Sequence, residues 1–317
     1  AIIRALFNNK IQVGFEYYVK KGKDIITSLI LPREYGVENM PVNGGSMKNT
    51  GYDLSVSFVP VRTKNFTWNV GINTSQNNNK ITKVGVQNLT WKTAVSGSYT
   101  KSGYPVSAFW AFDCEGIDQE TGYPIINLET HGEEDPSVDP TSYMVYAGKL
   151  DPDFTGGLSM SFRYKQFSLS TNFYLQLGGK KFLADAYQST TLPSEYENLS
   201  SELNGRWRPG DTDARFPGLP DKNVVNFSLP DGKNSNEYEM YNKSNVRVVN
   251  ASSLKCNSLS ISYFLPEKFI KHLYCKGISM SASMSNPFRI VSKDFKGRDP
   301  EVATGQQPVM SSYSFNL

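Results

Sequence analysis

The stretch from Gly157 to Leu177 limits the possible folds more than any other. Leu158, Met160, Phe162 and Tyr164 alternate with Ser159, Ser161 and Arg163, and Phe167, Leu169, Thr171, Phe173, Leu175 and Leu177 alternate with Ser168, Ser170, Asn172, Tyr174 and Gln176. A period of two marks strands with one apolar face. Only Lys165 and Gln166 separate the limbs, so a two-residue turn pairs Tyr164 with Phe167, Phe162 with Leu169, Met160 with Thr171 and Leu158 with Phe173. All the apolar positions then share one uncharged face, and the other face is small and polar around Arg163. One side of the hairpin meets something oily and the other meets water.

The same pattern returns along the chain. It places Ile11, Val13, Phe15, Tyr17 and Val19 on one face, then Tyr52, Leu54, Val56 and Phe58, then Phe66, Trp68, Val70 and Ile72. After the central hairpin come Leu259, Ile261, Tyr263 and Leu265, then Ile278, Met280, Ala282 and Met284, and last Tyr313, Phe315 and Leu317. Keeping Phe58 and Trp68 on one face requires an odd-length turn, most simply Val61 to Asn65. Parity slips between Cys256 and Leu259, and a β-bulge near Asn257 and Ser258 absorbs the extra residue. Ala1 to Phe7 reads as the end of one more strand, turning at Asn8 and Asn9, so the eight full strands are not a closed set.

The links between these strands alternate strictly in length. Links two to three, four to five and six to seven are short, whereas Gly22 to Gly51, Thr74 to Phe154, Gly178 to Ala251 and Asn286 to Pro308 are long. Tight turns at one end and long loops at the other are the pattern of an up-and-down outer-membrane barrel, where a soluble sandwich mixes its link lengths. Ten strand residues rising ~3.3 Å each at ~45° tilt climb roughly 24 Å, close to the ~25 Å apolar band of such barrels. Tyr17, Tyr52, Tyr164 and Tyr263 lie near strand ends, where interfacial girdles would put them. No membrane helix is expected, because the longest nearly apolar run, Ile25 to Leu31, is broken by Thr27 and Ser28 and falls short of the roughly 18 residues a span needs.

Composition agrees with one large all-β unit: aromatic residues make up 13% of the chain while hydrophobic residues reach only 38%. The net charge of +3 is scattered, which gives nucleic-acid binding no support. Cys114, Cys256 and Cys275 show no metal-ligand spacing with His131 and His272 and read as unpaired thiols, so neither a metal nor a cofactor is expected. Placing Phe264 opposite Cys275 would set Cys256 roughly 26 Å up the strand at ~3.3 Å per residue, beyond disulfide reach. Glu133, Glu134, Asp135 and Asp139 are broken up by Pro136 and Pro140 and read as a solvated loop. No catalytic constellation is present. In the two longest loops, Trp91, Phe109, Trp110, Tyr123 and Trp207 are the candidate ligand-facing residues, because aromatic platforms beside polar groups suit sugars or peptides.

Four ordered segments carry a family resemblance. Leu150 to Lys180, Gly103 to Ile125 with Gly116, Ile117, Asp118, Thr121, Gly122 and Pro124, the strand from Asn250 to Pro266, and Ser285 to Val302 with Asn286, Phe288, Gly297, Asp299, Pro300 and Glu301 resemble SusC/RagA-type TonB-dependent outer-membrane transporters. Lys255 and Cys256 stand where that family usually has Arg and Leu. The resemblance implies a bacterial outer-membrane barrel of 22 strands filled by an N-terminal plug and energised through the TonB complex. It also implies a SusD-like surface lipoprotein as lid, and oligosaccharide or peptide substrates. Residues 1–317 are then expected to be the C-terminal portion of that barrel, about eight strands in contact with outer-membrane lipid, without the plug or the N-terminal barrel half and with no enzymatic role. The alternatives are a self-contained small outer-membrane barrel acting as anchor or adhesin, which would have to fill its lumen with large side chains, and an extracellular carbohydrate-binding sandwich.

Overall fold

The computed structural model describes residues 2–6, 10–30, 39–84, 90–131, 134–187, 191–221, 223–270, 277–295, 299–303 and 306–317. Its main body is one antiparallel sheet of nine strands in which every strand neighbours the next. Numbered among themselves, these wall strands are β1 (Ile2–Leu6), β2 (Ile11–Ile30), β3 (Asn39–Arg62), β4 (Phe66–Lys83), β5 (Phe154–Tyr164), β6 (Phe167–Leu177), β7 (Ser253–Phe264), β8 (Ser279–Val291) and β9 (Ser312–Asn316). The partial strand expected at the front is β1. Strands β1 and β9 form the two edges, so the sheet is open among the described residues. No helix among the described residues is long and apolar enough to cross a membrane.

The central hairpin has the expected register, from Tyr164↔Phe167 through Phe162↔Leu169 and Met160↔Thr171 to Leu158↔Phe173. Lys165 takes φ 50 to close the turn. The bulge in β7 is also where the parity slips. Asn257 is skipped between Cys256 and Ser258, and across from it Asn286 adopts φ 51 ahead of Pro287, a residue that strands tolerate at bulges.

Three local expectations are corrected. The β3–β4 turn is Thr63–Asn65, three residues long instead of five, because the register shifts between Phe58 and Val61. Pro60, with no N–H to give the ladder, sits in that shift. Phe264 faces Ser279, not Cys275, since the β7–β8 link is lengthened by a one-turn helix, α3 (Glu267–Ile270); Cys275 itself lies outside the described residues. The first long link is mostly strand: β2 and β3 stay paired out to Ile30↔Asn39, which leaves only residues 31–38 between them, and these too are outside the described set. Above Val19 the apolar alternation is lost while the backbone ladder continues: Lys20, Lys21, Lys23 and Asp24 are charged, and beyond them Ile25 and Ile26 are adjacent, with register shifts on either side of Ile25. The 24 residues of β3 climb roughly 55 Å, about twice the apolar band.

The hydrophobic packing divides sharply between sheet and loops. Apart from Val70, Ile81, Cys256 and Ile270 in α3, every buried hydrophobic side chain among the described residues belongs to the segments joining strands at the loop end. Trp91, Tyr99, Trp110, Phe112 and Tyr143 from the β4–β5 connection pack with Leu229 and Met240 from the β6–β7 connection. A second cluster joins Cys114 to Ala186, Tyr187, Leu203, Tyr238 and Tyr241, and a third brings Phe295 from the β8–β9 connection against Leu183, Val249 and Ala251. The long loops are therefore one packed layer over the end of the sheet. On the sheet's outer face Phe15, Tyr17, Ile72, Tyr164, Phe167, Leu169, Ile261, Met280 and Phe315 are exposed, and no second sheet among the described residues covers them.

Candidate functional site

Two surfaces stand where a ligand could meet this chain: the concave inner face of the sheet and the loop layer above it. The inner face is kept flat by small residues. A Cβ on Gly14 would lie 2.6 Å from Ser55 Oγ, and one on Gly71 would lie 2.5 Å from Ser159 Oγ, so each glycine makes room for a serine leaning over it. Asn69 donates to Ser161 Oγ at 3.1 Å, Asn172 donates to Ser258 Oγ at 2.9 Å, and Ser170 and Ser260 share a 2.8 Å hydrogen bond. These cross-strand pairs satisfy one another and leave a polar trough lined by Gln12, Ser55, Ser57, Asn73, Ser159 and Tyr174, among others. Glu16 and Asp53 face each other within it. The expected small, polar inner face is present, and it leaves space between the walls.

The resembling motifs turn out to be the fasteners of the loop layer. Gly103, at φ 92, donates its N–H to Ile81 O at 2.9 Å, and Ile81 N–H donates to Tyr104 O at 2.9 Å, docking the Gly-x-Pro segment on the top of β4. The strands Asp113–Ile117 and Pro124–Asn127 form a hairpin closed by Asp118. Its carboxylate accepts from Glu120 N–H at 2.9 Å and Thr121 Oγ1 at 2.6 Å, and Gly122 N–H donates to Asp118 O at 2.7 Å. The hydrogen bonds to the carboxylate, Thr121 first and then Glu120, lower the Asp118 pKa. The Asp-Pro-Glu run clamps the β8–β9 loop to the wall: Asp299 pairs with Arg289, Glu301 lies 3.0 Å from Arg289 and 2.6 Å from Lys255, and Lys181 donates to Pro300 O. Lys255 thus keeps the ion pair at the position where the related family usually has Arg; Gly297 of that motif lies outside the described residues.

The five aromatic candidates separate by burial. Trp91, Phe109 and Trp110 are only 2%, 0% and 3% exposed and belong to the interior of the loop layer. Local structure puts them there. Thr90 caps the short helix α1 (Trp91–Ser96) and Gly97 ends it in the left-handed region, which turns Trp91 and Ala94 to the same buried side. The strand Ala108–Ala111 is buried along its whole length. Tyr123 and Trp207 are half-buried and lie in one corner of the layer. The Trp207 ring covers Gly122, where a Cβ would come within 2.2 Å of it, and its Nε1 donates to Gln119 O at 3.0 Å. Tyr123 Oη donates to Asp221 at 2.6 Å; desolvation first, then that hydrogen bond, push its phenol up to about 12. Sequence reasoning missed Asp221 and Gln119, whose partners lie 98 and 88 residues away along the chain. It also treated as equal five aromatics of which three are core.

Asp139, expected in a solvated loop, is buried instead, because the loop layer folds partners over it. It accepts from Tyr99 Oη at 2.8 Å, Lys101 Nζ at 2.6 Å and Thr141 Oγ1 at 2.6 Å. Asp135 caps Ser137, and Glu133 lies outside the described residues. Cys114 and Cys256 are free thiols, and no group of three His, Cys, Asp or Glu side chains is gathered for a metal among the described residues.

An open antiparallel wall with an exposed apolar outer face, a polar inner face and a packed layer of loops at one end defines a segment of a large outer-membrane-type β-barrel. No family model matches the sequence. Along 94% of its length the chain is 26% identical to TonB-dependent receptor P3 of Formosa agariphila and 27% identical to TonB-dependent receptor SusC of Bacteroides thetaiotaomicron, covering 29% and 28% of those proteins. The structure of the RagAB peptide transporter superposes over 98% of the chain, with a TM-score of 0.75 at 22% identity, and 33% of that chain is covered. On sequence and fold together the chain is SusC/RagA-like, and it spans just under a third of the length of the curated relatives it matches.

Proposed function

We propose that residues 1–317 are the C-terminal portion of the barrel of a TonB-dependent transporter in the bacterial outer membrane. The plug and the N-terminal half of the barrel lie outside this chain and reach the TonB complex. The whole transporter takes up oligosaccharides or peptides beneath a SusD-like surface lipoprotein, and this portion supplies wall and rim, with no catalytic step. The observation that carries the reading is the division of packing among the described residues: nearly all buried hydrophobic side chains lie in the loop layer, while, Val70 and Cys256 aside, those on the outer face of the wall are exposed or half-buried. Lipid tails, not protein, suit such a face. A self-contained small barrel is disfavoured by the open edges at β1 and β9 and by the Gly, Ser and Asn lining of the trough.

Within this reading Tyr123 and Trp207 form the ligand platform of the rim. Alanine at both positions in the full-length receptor is expected to weaken binding of its oligosaccharide or peptide ligand by roughly tenfold or more, in line with removal of aromatic contacts from a recognition surface. Titration calorimetry on the purified receptor checks this; an unchanged dissociation constant removes the pair from the site.

A further inference from the structure

Lysines gather without counter-ions on the outer surface of β2, β3 and β4. Lys21 pairs in register with Lys48, and Lys48 with Lys80, so three ammonium groups start from directly adjacent positions on three neighbouring strands. Lys83 follows higher up, opposite Ser46. All four are exposed, and none forms an ion pair among the described residues. Strand spacing of ~4.8 Å spreads the row over only about 10 Å. Like charges directly opposite one another destabilise a sheet, so this arrangement is costly unless an anion occupies it.

The side and height of the row identify the anion. Alternation puts Lys21, Lys48 and Lys80 on the same face as Tyr17, Tyr52 and Val19, the outer one. The residues between them turn the other way: Asn79 donates to Asn49 and Tyr18 to Asn77 on the trough side. Lys21 is ten residues beyond Ile11, roughly 24 Å of climb, so the row stands at the upper limit of the ~25 Å apolar band. It lies four residues above the Tyr17↔Tyr52 pair. Negatively charged headgroups attract lysines at that level of a membrane.

We propose that Lys21, Lys48 and Lys80 form a docking site for the phosphate of an anionic lipid headgroup in the outer leaflet. The site rests on the reading that this face meets lipid. It fixes the height of the barrel in the membrane at its loop end and offsets the repulsion within the row.

The test uses the full-length receptor in mild detergent, titrated by native mass spectrometry with lipid A carrying both phosphates and with phosphate-free lipid A. The parent is expected to prefer the phosphorylated form, and the combined Lys21→Gln, Lys48→Gln and Lys80→Gln variant to lose roughly tenfold or more of that affinity. A Lys64→Gln control at the opposite end of the wall keeps the parental affinity, and millimolar inorganic phosphate fails to displace the lipid. Equal affinity for the two lipids, an unchanged triple variant, an equal loss in the control, or displacement by inorganic phosphate would each overturn the site. Insertion into phosphatidylcholine vesicles separates the two levels: a receptor that inserts but shows no phosphate preference sinks the lysine row alone, and one that does not insert sinks the membrane reading beneath it.

Discussion

Asp139 shows how one side chain holds distant parts of the loop layer together. Its side chain is 5% exposed, and burial alone would raise its pKa; the hydrogen bonds from Lys101, Thr141 and Tyr99 together outweigh that and bring it to about 2. An ordinary aspartate titrates near ~3.9. Because the folded value is the lower one, the stabilisation is fully present above the unfolded value and is lost as pH falls from about 4 through about 2. With Lys101 partly in water, its magnitude is about 1–2 kcal/mol. Hydrogen exchange of residues 99–144 is therefore expected to accelerate between pH 4 and pH 2, and Asp139→Asn to flatten that response while opening the segment already at neutral pH. An unaltered pH profile in the variant would show that another group controls the segment. This role was not legible in the sequence, where Asp139 is one acid among several in a proline-broken stretch. Its partners, 38 and 40 residues upstream, are known only from the fold.

Among the elements, the strands were legible and the loops were not, for one physical reason. A wall strand faces two solvents, and each leaves its mark on alternate residues; hence the Tyr164↔Phe167 register and the bulge at Asn257 followed from parity alone. Above Val19 in β2 and β3, where Lys20, Lys21, Lys23 and Asp24 are charged and the register shifts on either side of Ile25, the mark disappears although the ladder continues. Within the loop layer, the strand Ala108–Ala111 is buried throughout and the helix α2 (Glu237–Asn242) is too short to show a period. The two-solvent account predicts a sided response to charge. Ile72 lies on the outer face in register with Val56 and Leu158, and Ser57 is exposed on the trough side. Ile72→Lys is expected to destabilise the lipid-embedded barrel by ~2–4 kcal/mol, and Ser57→Lys by less than about 1 kcal/mol. Denaturant-dependent folding of the full-length receptor in lipid vesicles measures both; equal costs would mean that the two faces meet the same medium.

For the whole molecule, the same division implies two structures of unlike energetic origin in one chain. The loop layer has a dry protein core in which Trp110 packs against Tyr99, Tyr104 and Tyr146 at ring distances of 5.3–5.8 Å. It also encloses an Arg247–Glu202 ion pair at 2.7 Å with both side chains below 10% exposure. The wall has a hydrogen-bonded ladder and a polar trough, and its apolar face depends on what lies outside the chain. Joints between the two are mostly polar: the Gly103 docking on Ile81, the Val106 N–H given to Asn79, and the Arg289 and Lys255 pairs with Asp299 and Glu301. The apolar contact of Val291 in β8 is with the Leu183, Val249, Ala251 and Phe295 cluster, separate from the one that holds Trp110. Damage to the loop core should therefore stay in the loops. Trp110→Ala removes a nearly fully buried ring, a change that costs ~3–5 kcal/mol in a packed core. Limited proteolysis of the full-length receptor should then cut between residues 99–149 and 178–250, while the barrel keeps the heat-modifiable gel mobility of a folded wall. Loss of that mobility at the same temperature as the loops open would make wall and loop layer a single cooperative unit, with the polar joints far stronger than their exposure implies.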